Sequence, residues 1–482
     1  MLYKKRFDTF IRNYDDVCYI CNKKNNHDMV VDKVGAIFLS ALSRTPQSIE
    51  ELFSKIVTQF VDVDNETLKD DITEFYVMLE EDGFIVSGRI EEEFETKDKR
   101  FSYTDIEPIS IKNDFRPIFK RSDINTKSFI NEHFKRKPYL TTLQIELTNK
   151  CNERCVHCYI PHENKYIDIE DFLFYNILRQ SEEIGLLTLI LTGGEPMMHP
   201  HFIEYLRKTQ EYDFEIKLLS NLTLLNNEII KEMKTCRLSG VQVSLYSMKP
   251  EVHDSITMAK GSFYKTQNAI LKLLENDIPL QISCVLMKQN KNDFVDVLNW
   301  ANKHKINTTT DYLMMARYDH STSNLDNRLS LNEVENIINT IIENDKDYQN
   351  QILNSDFNAL SQRNDSEDTV CAVCTSTIGV AANGSVFPCV GWQNYILGNL
   401  KTESLQQIWQ NSPKVNFLRK IRKKDFPECS KCENRMFCAM CMVRNANENK
   451  EGNPFKVNVH FCNVAALNKK LVFDWKNRIP IE

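Results

Sequence analysis

Cys151-Asn-Glu-Arg-Cys155-Val-His-Cys158 puts three thiols on one short stretch of chain. A cubane iron–sulfur cluster has four irons, each of which takes one thiolate, so three ligands leave one iron open. An open iron can hold a small molecule, and such a cluster does chemistry as well as carrying electrons. A second set is denser: Cys371-x2-Cys374, then Gly384-x4-Cys389, then Cys429-x2-Cys432-x5-Cys438-x2-Cys441, and finally Cys462. Each close pair offers two ligands from one turn, and eight cysteines satisfy two closed four-iron clusters with none left over. Structural zinc, which also uses CxxC pairs, is the rival for these eight. Of the 15 cysteines only Cys18, Cys21, Cys236 and Cys284 lie outside the two sets. Cys18 and Cys21 stand three apart on a predicted strand, so they face opposite sides and make poor co-ligands. Cys284 sits in an apolar strand and reads as core.

These cysteines need a scaffold, and the central segment supplies an alternation of strands and helices. Leu143, Ile145 and Leu147 share one face of a strand that ends at Thr148, just before the first cysteine loop. Residues 186–191 form a continuous apolar run, as a buried parallel strand should, and lead directly into Thr192-Gly193-Gly194-Glu195-Pro196. Further strands are predicted at 216–220, 240–246, 280–286 and 306–315. Helices are predicted at 168–183, 228–234, 263–275 and 294–304. Six parallel strands with right-handed crossovers make a partial (β/α)6 barrel of the TIM type. Sites in such barrels gather at the C-terminal ends of strands, where both the cysteine loop and Gly193-Gly194-Glu195 fall. Glycine lets backbone approach a ligand closely, and a carboxylate accepts from an ammonium group. His253 and Asp254 read as structural.

The N-terminal segment, 1–88, predicts a strand at 16–21 and a partner at 28–32. It also predicts three helices: one through Val34 to Leu42, one from Thr45 to Phe60 and one through Leu68 to Leu79. A strand at Phe84-Ile85-Val86 follows. This is a winged-helix-like order. Acids outnumber bases in it, which argues against phosphate binding. Residues 89–139 read as a linker with scattered prolines, 140–330 as the barrel, 331–370 as a bridge and 371–482 as the cysteine-rich domain. The chain of 482 residues has room for about three domains. Its net charge of −7 gives no reason to expect a nucleic-acid partner. No apolar run approaches the ~20 residues that span a bilayer. MLYKKRFDTFIRNYDD lacks the apolar core of a signal peptide. A cytoplasmic protein with no membrane partner is expected, in which reduced cysteines are free to bind metal.

The CxxxCxxC loop, with the ring of His157 before its third cysteine and Gly-Gly-Glu one βα unit downstream, resembles the radical S-adenosylmethionine (SAM) superfamily. The resemblance implies that Cys151, Cys155 and Cys158 hold a four-iron cluster whose open iron chelates SAM, and that one-electron cleavage gives a 5′-deoxyadenosyl radical. It implies SAM contacts from Gly193, Gly194, Glu195, Asn221 and Ser244. Relatives usually have glycine where Leu222 stands, which weakens the case for Asn221. "VQVSLYSMKPEVHDSIT" looks like the peptide-maturase branch. "NGSVFPCVGW" and "LGNLKTESLQQIWQNSP" resemble the SPASM extension. That extension implies one auxiliary four-iron cluster on Cys371, Cys374, Cys389 and Cys441, and an outer one on Cys429, Cys432, Cys438 and Cys462. Two residues between Cys438 and Cys441, where relatives usually have three, put Cys441 in question. The N-terminal order of elements is similar to the peptide-recognition element of ribosomal-peptide maturases. The resemblance therefore implies three [4Fe-4S] clusters, SAM, a precursor peptide with a leader, and an electron donor such as flavodoxin or ferredoxin. A cysteine thioether is the first product to expect, and a carbon–carbon crosslink the second. A formylglycine-forming sulfatase activator would share the barrel and both auxiliary clusters but would not need the N-terminal domain. A redox-sensing regulator would need no SAM pocket.

Overall fold

The computed structural model describes residues 1–15, 17–105, 133–134, 137–163, 165–357 and 365–478. Most of the expected linker, 106–132, lies outside the described residues. The N-terminal segment holds six strands: β1 (Leu2–Lys5), β2 (Thr9–Tyr14), β3 (Val17–Asn22), β4 (His27–Val31), β5 (Gln47–Ser48) and β6 (Ile85–Gly88). They form two three-stranded sheets, ordered β5-β1-β6 and β2-β3-β4, where two or three strands in all were expected. Helices Lys33–Ala41, Ile49–Ile56 and Asn65–Glu81 complete the unit.

The second helix starts at Ile49, four residues later than its spacing predicted. Ser48 caps it from an extended backbone: its Oγ accepts from Glu51 N at 3.2 Å, and Glu51 Oε2 accepts from Ser48 N at 2.7 Å. A residue so committed, and paired with β1 besides, stays outside the helix. Tyr3, Ile20, Phe38, Leu52, Ile72 and Phe84 build a core separate from that of the barrel. The acid-rich start of the expected linker is itself a helix, Glu91–Lys97. Its Phe94 ring packs on Gly88, where a Cβ would stand 3.0 Å from it. Tyr103 then reaches the barrel, its hydroxyl accepting from Leu280 N at 2.9 Å.

The expected six-stranded partial barrel is present: β7 (Thr142–Thr148), β8 (Thr188–Gly193), β9 (Glu215–Ser220), β10 (Leu238–Ser244), β11 (Leu280–Val285) and β12 (Asn307–Asp311), all parallel. The cysteine-rich domain extends the same sheet past β7. There β13 (Thr377–Val380) pairs parallel with β7, followed by antiparallel β14 (Ser385–Phe387) and β15 (Gly398–Asn399). The result is one nine-stranded sheet, ordered β12-β11-β10-β9-β8-β7-β13-β14-β15. Gly379 is required in β13, because a Cβ there would stand 2.1 Å from the Phe387 ring. Sharing a sheet fixes the second cysteine set beside the strand that feeds the first. No helix among the described residues is long and apolar enough to cross a membrane.

The N-terminal unit docks on the barrel end opposite the cysteine loop. Leu187, which precedes β8, packs with Phe10 and Cys21. Asp213, just before β9, collects the cations: Lys5 Nζ at 3.0 Å, Arg44 Nη2 at 2.6 Å, Arg12 Nη1 at 3.8 Å and Arg237 Nε at 3.9 Å. Burial alone would raise the Asp213 carboxyl, but the Arg44 and Lys5 charges outweigh it and hold it well below the usual carboxylate range. Asp213→Asn leaves those cations with no counter-charge. The expected loss is about 2 kcal/mol, between that of an exposed pair and a buried one, read as a lower denaturant midpoint at pH 7. The contribution of a depressed carboxyl is fully present above its unfolded value, about pH 4, and fades as pH falls toward the lowered folded value. An unchanged midpoint at pH 7 would make the cluster decorative.

Candidate active site

The cysteine loop is clamped before its first thiol. Thr148 Oγ1 donates to Asp168 Oδ1 at 2.6 Å and accepts from Lys150 N at 3.1 Å. Gly194 N donates to Thr148 O at 2.9 Å, and Glu195 N to Lys150 O at 2.8 Å. Gly193 and Gly194 permit this approach, since a Cβ on either would stand 2.2 Å from a loop carbonyl oxygen. The close neighbour of these glycines is thus the backbone of the cysteine loop. Further along, Arg154 N and Val156 N both donate at 2.9 Å to Thr257 O and Ile256 O, at the end of helix Pro250–Thr257.

Cys151, Cys155 and Cys158 come together on this loop. Burial pushes the Cys151 thiol up to about 11. The Cys155 thiol is pushed well above its ordinary value, first by burial, then by Glu153, Cys158 and Cys151 as anions. Such thiols ionise only against a positive centre, as metal coordination provides. Glu153 Oε1, in the carboxyl whose other oxygen lies 3.4 Å from Cys155 Sγ, is buried with no hydrogen-bond partner among the described residues. Three half-buried sulfur donors, with Cys155 feeling the other two, fit an iron–sulfur cluster with one open iron.

The residues expected to hold SAM line the adjoining strand ends. Glu195 is 1% exposed. Its Oε1 accepts from Ser220 Oγ at 2.8 Å and Met197 N at 3.0 Å, and Oε2 accepts from Asn221 N at 2.7 Å. Burial raises this carboxyl to about 7 against those bonds. Glu195 is therefore a strut between β8 and β9, and Oε2 keeps one acceptor position for a ligand ammonium. Asn221 Nδ2 donates to Asn152 Oδ1 at 2.9 Å and its Oδ1 accepts from Thr223 N at 3.0 Å, so it ties the end of β9 to the cysteine loop. Leu222 has φ 60°, the conformation glycine takes at no cost. Its side chain is buried in the barrel core, which offsets the strain.

Ser244 ends β10 and hydrogen-bonds the Tyr246 hydroxyl, which also meets His157 Nε2 at 2.8 Å. Burial lowers His157 to about 4, so the ring is neutral near pH 7. Tyr246 was not singled out in the sequence, although it stands two residues after Ser244 and period-2 spacing puts both on one face. His253 and Asp254 have local tasks. Tyr246 N donates to His253 Nδ1, and Asp254 accepts from Phe263 N at the start of helix Ser262–Glu275.

The second cysteine set separates into two groups. Cys371 is pushed to about 12 by burial, with Cys441 and Cys389 adding to it as anions, and Cys374 feels Cys371. Cys438 is pushed to about 12 by burial and then by Cys462, Cys429 and Cys432. Cys441 starts helix Met442–Asn447, and the short Ala439-Met440 spacer runs between the two groups rather than within one. Among the described residues, no three His, Cys, Asp or Glu side chains converge on a single-ion position.

A cavity of about 340 Å³ opens between the two cysteine regions, lined by Glu146, Asn149, Lys165, Gly194, Tyr318 and Gln393 among others. The Tyr159 phenol, one residue before Ile160 in the cavity wall, is pushed well above its ordinary value first by burial and then by Cys158, Glu146 and Cys389. Glu146 was missed in the sequence. It sits on the opposite face of β7 from Leu143, Ile145 and Leu147, and only its charge in an apolar strand marked it.

The radical SAM superfamily model matches residues 145–301, and the SPASM model, an iron–sulfur cluster-binding domain, matches 371–433. The chain carries a radical SAM domain followed by a SPASM domain, and it is a radical SAM enzyme. The first domain takes SAM and a four-iron cluster, and the second takes further iron–sulfur clusters. The chain is 26% identical over 327 residues to the AdoMet-dependent heme synthase of Methanosarcina barkeri, covering 62% of this chain and 90% of that one. It is 28% identical over 324 residues to the antilisterial bacteriocin subtilosin biosynthesis protein AlbA of Bacillus subtilis, covering 63% and 68%. In fold it is similar to Streptococcus suis SuiB in the crystal structure bound to precursor peptide SuiA, with TM-score 0.60 and 15% identity over 95% of this chain and 99% of that one.

Proposed function

We propose that this enzyme matures a ribosomally made precursor peptide, removing a hydrogen atom from it and closing a thioether between a cysteine sulfur and an acceptor carbon. The observation that carries the reading is the cavity between the two domains, walled by Glu146 and Gly194 of the barrel and by Ala382, Asn383 and Gln393 of the cysteine-rich domain. A substrate there would meet a radical source and an electron acceptor together. The similarity to AlbA and to peptide-bound SuiB supports a peptide substrate.

In this reading Cys151, Cys155 and Cys158 hold the SAM cluster. Cys371, Cys374, Cys389 and Cys441 hold the nearer auxiliary cluster, and Cys429, Cys432, Cys438 and Cys462 the outer one. SAM, when bound to a cluster reduced by a donor such as flavodoxin or ferredoxin, would supply a 5′-deoxyadenosyl radical. The chain does the rest. Gly193 and Gly194 hold the loop in place, and Glu195, Asn221 and Ser244 bind and orient SAM. Anaerobic reaction with a cysteine-bearing precursor encoded beside this gene tests the reading by mass spectrometry. A product short of two hydrogens, with one cysteine no longer alkylated, is expected. Production of 5′-deoxyadenosine with an unmodified peptide would sink it.

The N-terminal unit, 1–88, is the proposed leader-binding domain. Strand β4 is an edge strand, and Phe75 of helix Asn65–Glu81 lies close to Gly35, which itself abuts Val31 of β4. An extended peptide adds to such an edge, with main-chain hydrogen bonds giving affinity and side-chain pockets giving register. The unit has its own core. Calorimetry with a 1–88 fragment is expected to show leader binding without SAM or iron. A folded fragment that ignores the leader, beside a full chain that binds it, would move the leader site to the barrel or the SPASM domain.

A further inference from the structure

We infer that Glu146 is the proton acceptor for the substrate thiol, a catalytic group working in the cavity between the radical SAM and SPASM domains. The inference rests on the thioether reading and goes beyond it by assigning the base. Glu146 stands on the barrel face of β7, is 4% exposed, and lines the cavity. Gln393 of the SPASM domain donates Nε2 to its Oε1. Among the described residues nothing donates to Oε2, so one carboxylate oxygen is left for a ligand. The same cavity is lined by Gly194 from the barrel and by Ala382 and Asn383 from the SPASM domain.

Thioether formation leaves a proton to be placed. The acceptor carbon gives up a hydrogen atom to the 5′-deoxyadenosyl radical. The peptide S–H bond breaks and its proton goes to Glu146 Oε2. The sulfur then bonds the carbon radical, and an auxiliary cluster, when bound, would accept the one surplus electron. Atoms and electrons balance with SAM as oxidant, and Glu146 returns its proton to solvent between turnovers. Burial raises Glu146 to about 7, with the Gln393 bond and the Lys165 charge opposing. That is about 1.5 pH units below a free cysteine thiol, where an ordinary glutamate would lie about 4 below. A base so matched is ionised near neutral pH and still takes a thiol proton. The groups around it are Glu163 and Lys165 after the cysteine loop, Tyr318 and Asp319 after β12, and Tyr159. Lys165 alone among them acts directly on its titration.

The test compares wild type and Glu146→Gln holoenzymes with the cysteine-bearing precursor. Glutamine keeps the size and the contact with Gln393 but accepts no proton. Crosslinking is expected to fall about 100-fold or more, the usual worth of a general base. Formation of 5′-deoxyadenosine is expected to stay within about twofold. Glu146→Asp should recover part of the crosslinking and shift its acid limb. Without turnover, infrared difference spectra of carbon-13-labelled resting enzyme should show carboxyl absorbance titrating near neutral pH, to which Glu195 also contributes, and Glu146→Gln should remove one component of it. Crosslinking by Glu146→Gln at the wild-type rate would overturn the inference while leaving the thioether reading intact. So would parallel loss of crosslinking and 5′-deoxyadenosine, because Glu146 would then only hold the two domains together. A wild-type enzyme that forms no thioether would overturn both.

Discussion

Cys155→Ala is expected to abolish 5′-deoxyadenosine formation, leaving only the background of iron-free protein. In the proposed assignment Cys151, Cys155 and Cys158 are the only protein ligands of the SAM cluster, so no spare sulfur can replace one. Cys155 is also the middle ligand: its thiol is influenced by both Cys151 and Cys158. Removing it leaves two sulfurs, too few to hold a cluster while one iron stays open for SAM. The surrounding loop should survive, since its backbone is pinned through Arg154 N, Val156 N and Gly194 N rather than through the sulfur. Anaerobic reconstitution should therefore give about eight irons per chain against about twelve in wild type. Zinc in the remaining positions would sink the auxiliary-cluster assignment. Undiminished 5′-deoxyadenosine would sink the ligand assignment of the loop.

What the sequence made legible follows from how local each signal is. The barrel strands were readable because a parallel strand buried on both faces is a run such as Leu186 to Leu191, and no solvent-facing residue interrupts it. Helix Ile49–Ile56 was readable, but its start was not, because Ser48 is held by a short strand pairing with β1 as well as by its cap. Strands β1 and β2 escaped notice because Lys5 and Arg12 break their apolar pattern. Both side chains are used on Asp213, more than 200 residues away, a distance over which no periodicity speaks. Glu146 escaped for the same reason. A carboxyl in an apolar strand gains its meaning only when Gln393, 247 residues later, closes over it. Gly193-Gly194 was recognised as a site feature, and the close packing of its backbone on the cysteine loop, residues 148–150, is a contact that no local pattern announces.

That contact makes Gly194→Ala the second large effect to expect, in a residue with no ligand atom on its side chain. An added Cβ would stand 2.2 Å from Lys150 O, 2.6 Å from Lys150 C and 2.7 Å from Asn149 O. All three are backbone atoms, so no rotamer change relieves the clash. An ordinary C···O approach is about 3.3 Å or more, so the loop must retreat by about 1 Å. That retreat weakens the bonds from Gly194 N to Thr148 O and from Glu195 N to Lys150 O, which set the position of Cys151. A displacement of this size at reacting groups costs about 100-fold in rate. Gly194→Ala should thus lower 5′-deoxyadenosine formation by about that factor and reduce iron in the loop cluster, with the auxiliary irons retained. Gly240→Ala is the control, since an added Cβ there meets nothing within 4 Å and its backbone is not in the left-handed region. If Gly194→Ala loaded iron and cleaved SAM as Gly240→Ala does, the glycine pair would not be what holds the loop. The placement of Cys151 would then have to come from Thr148 and Asp168 alone.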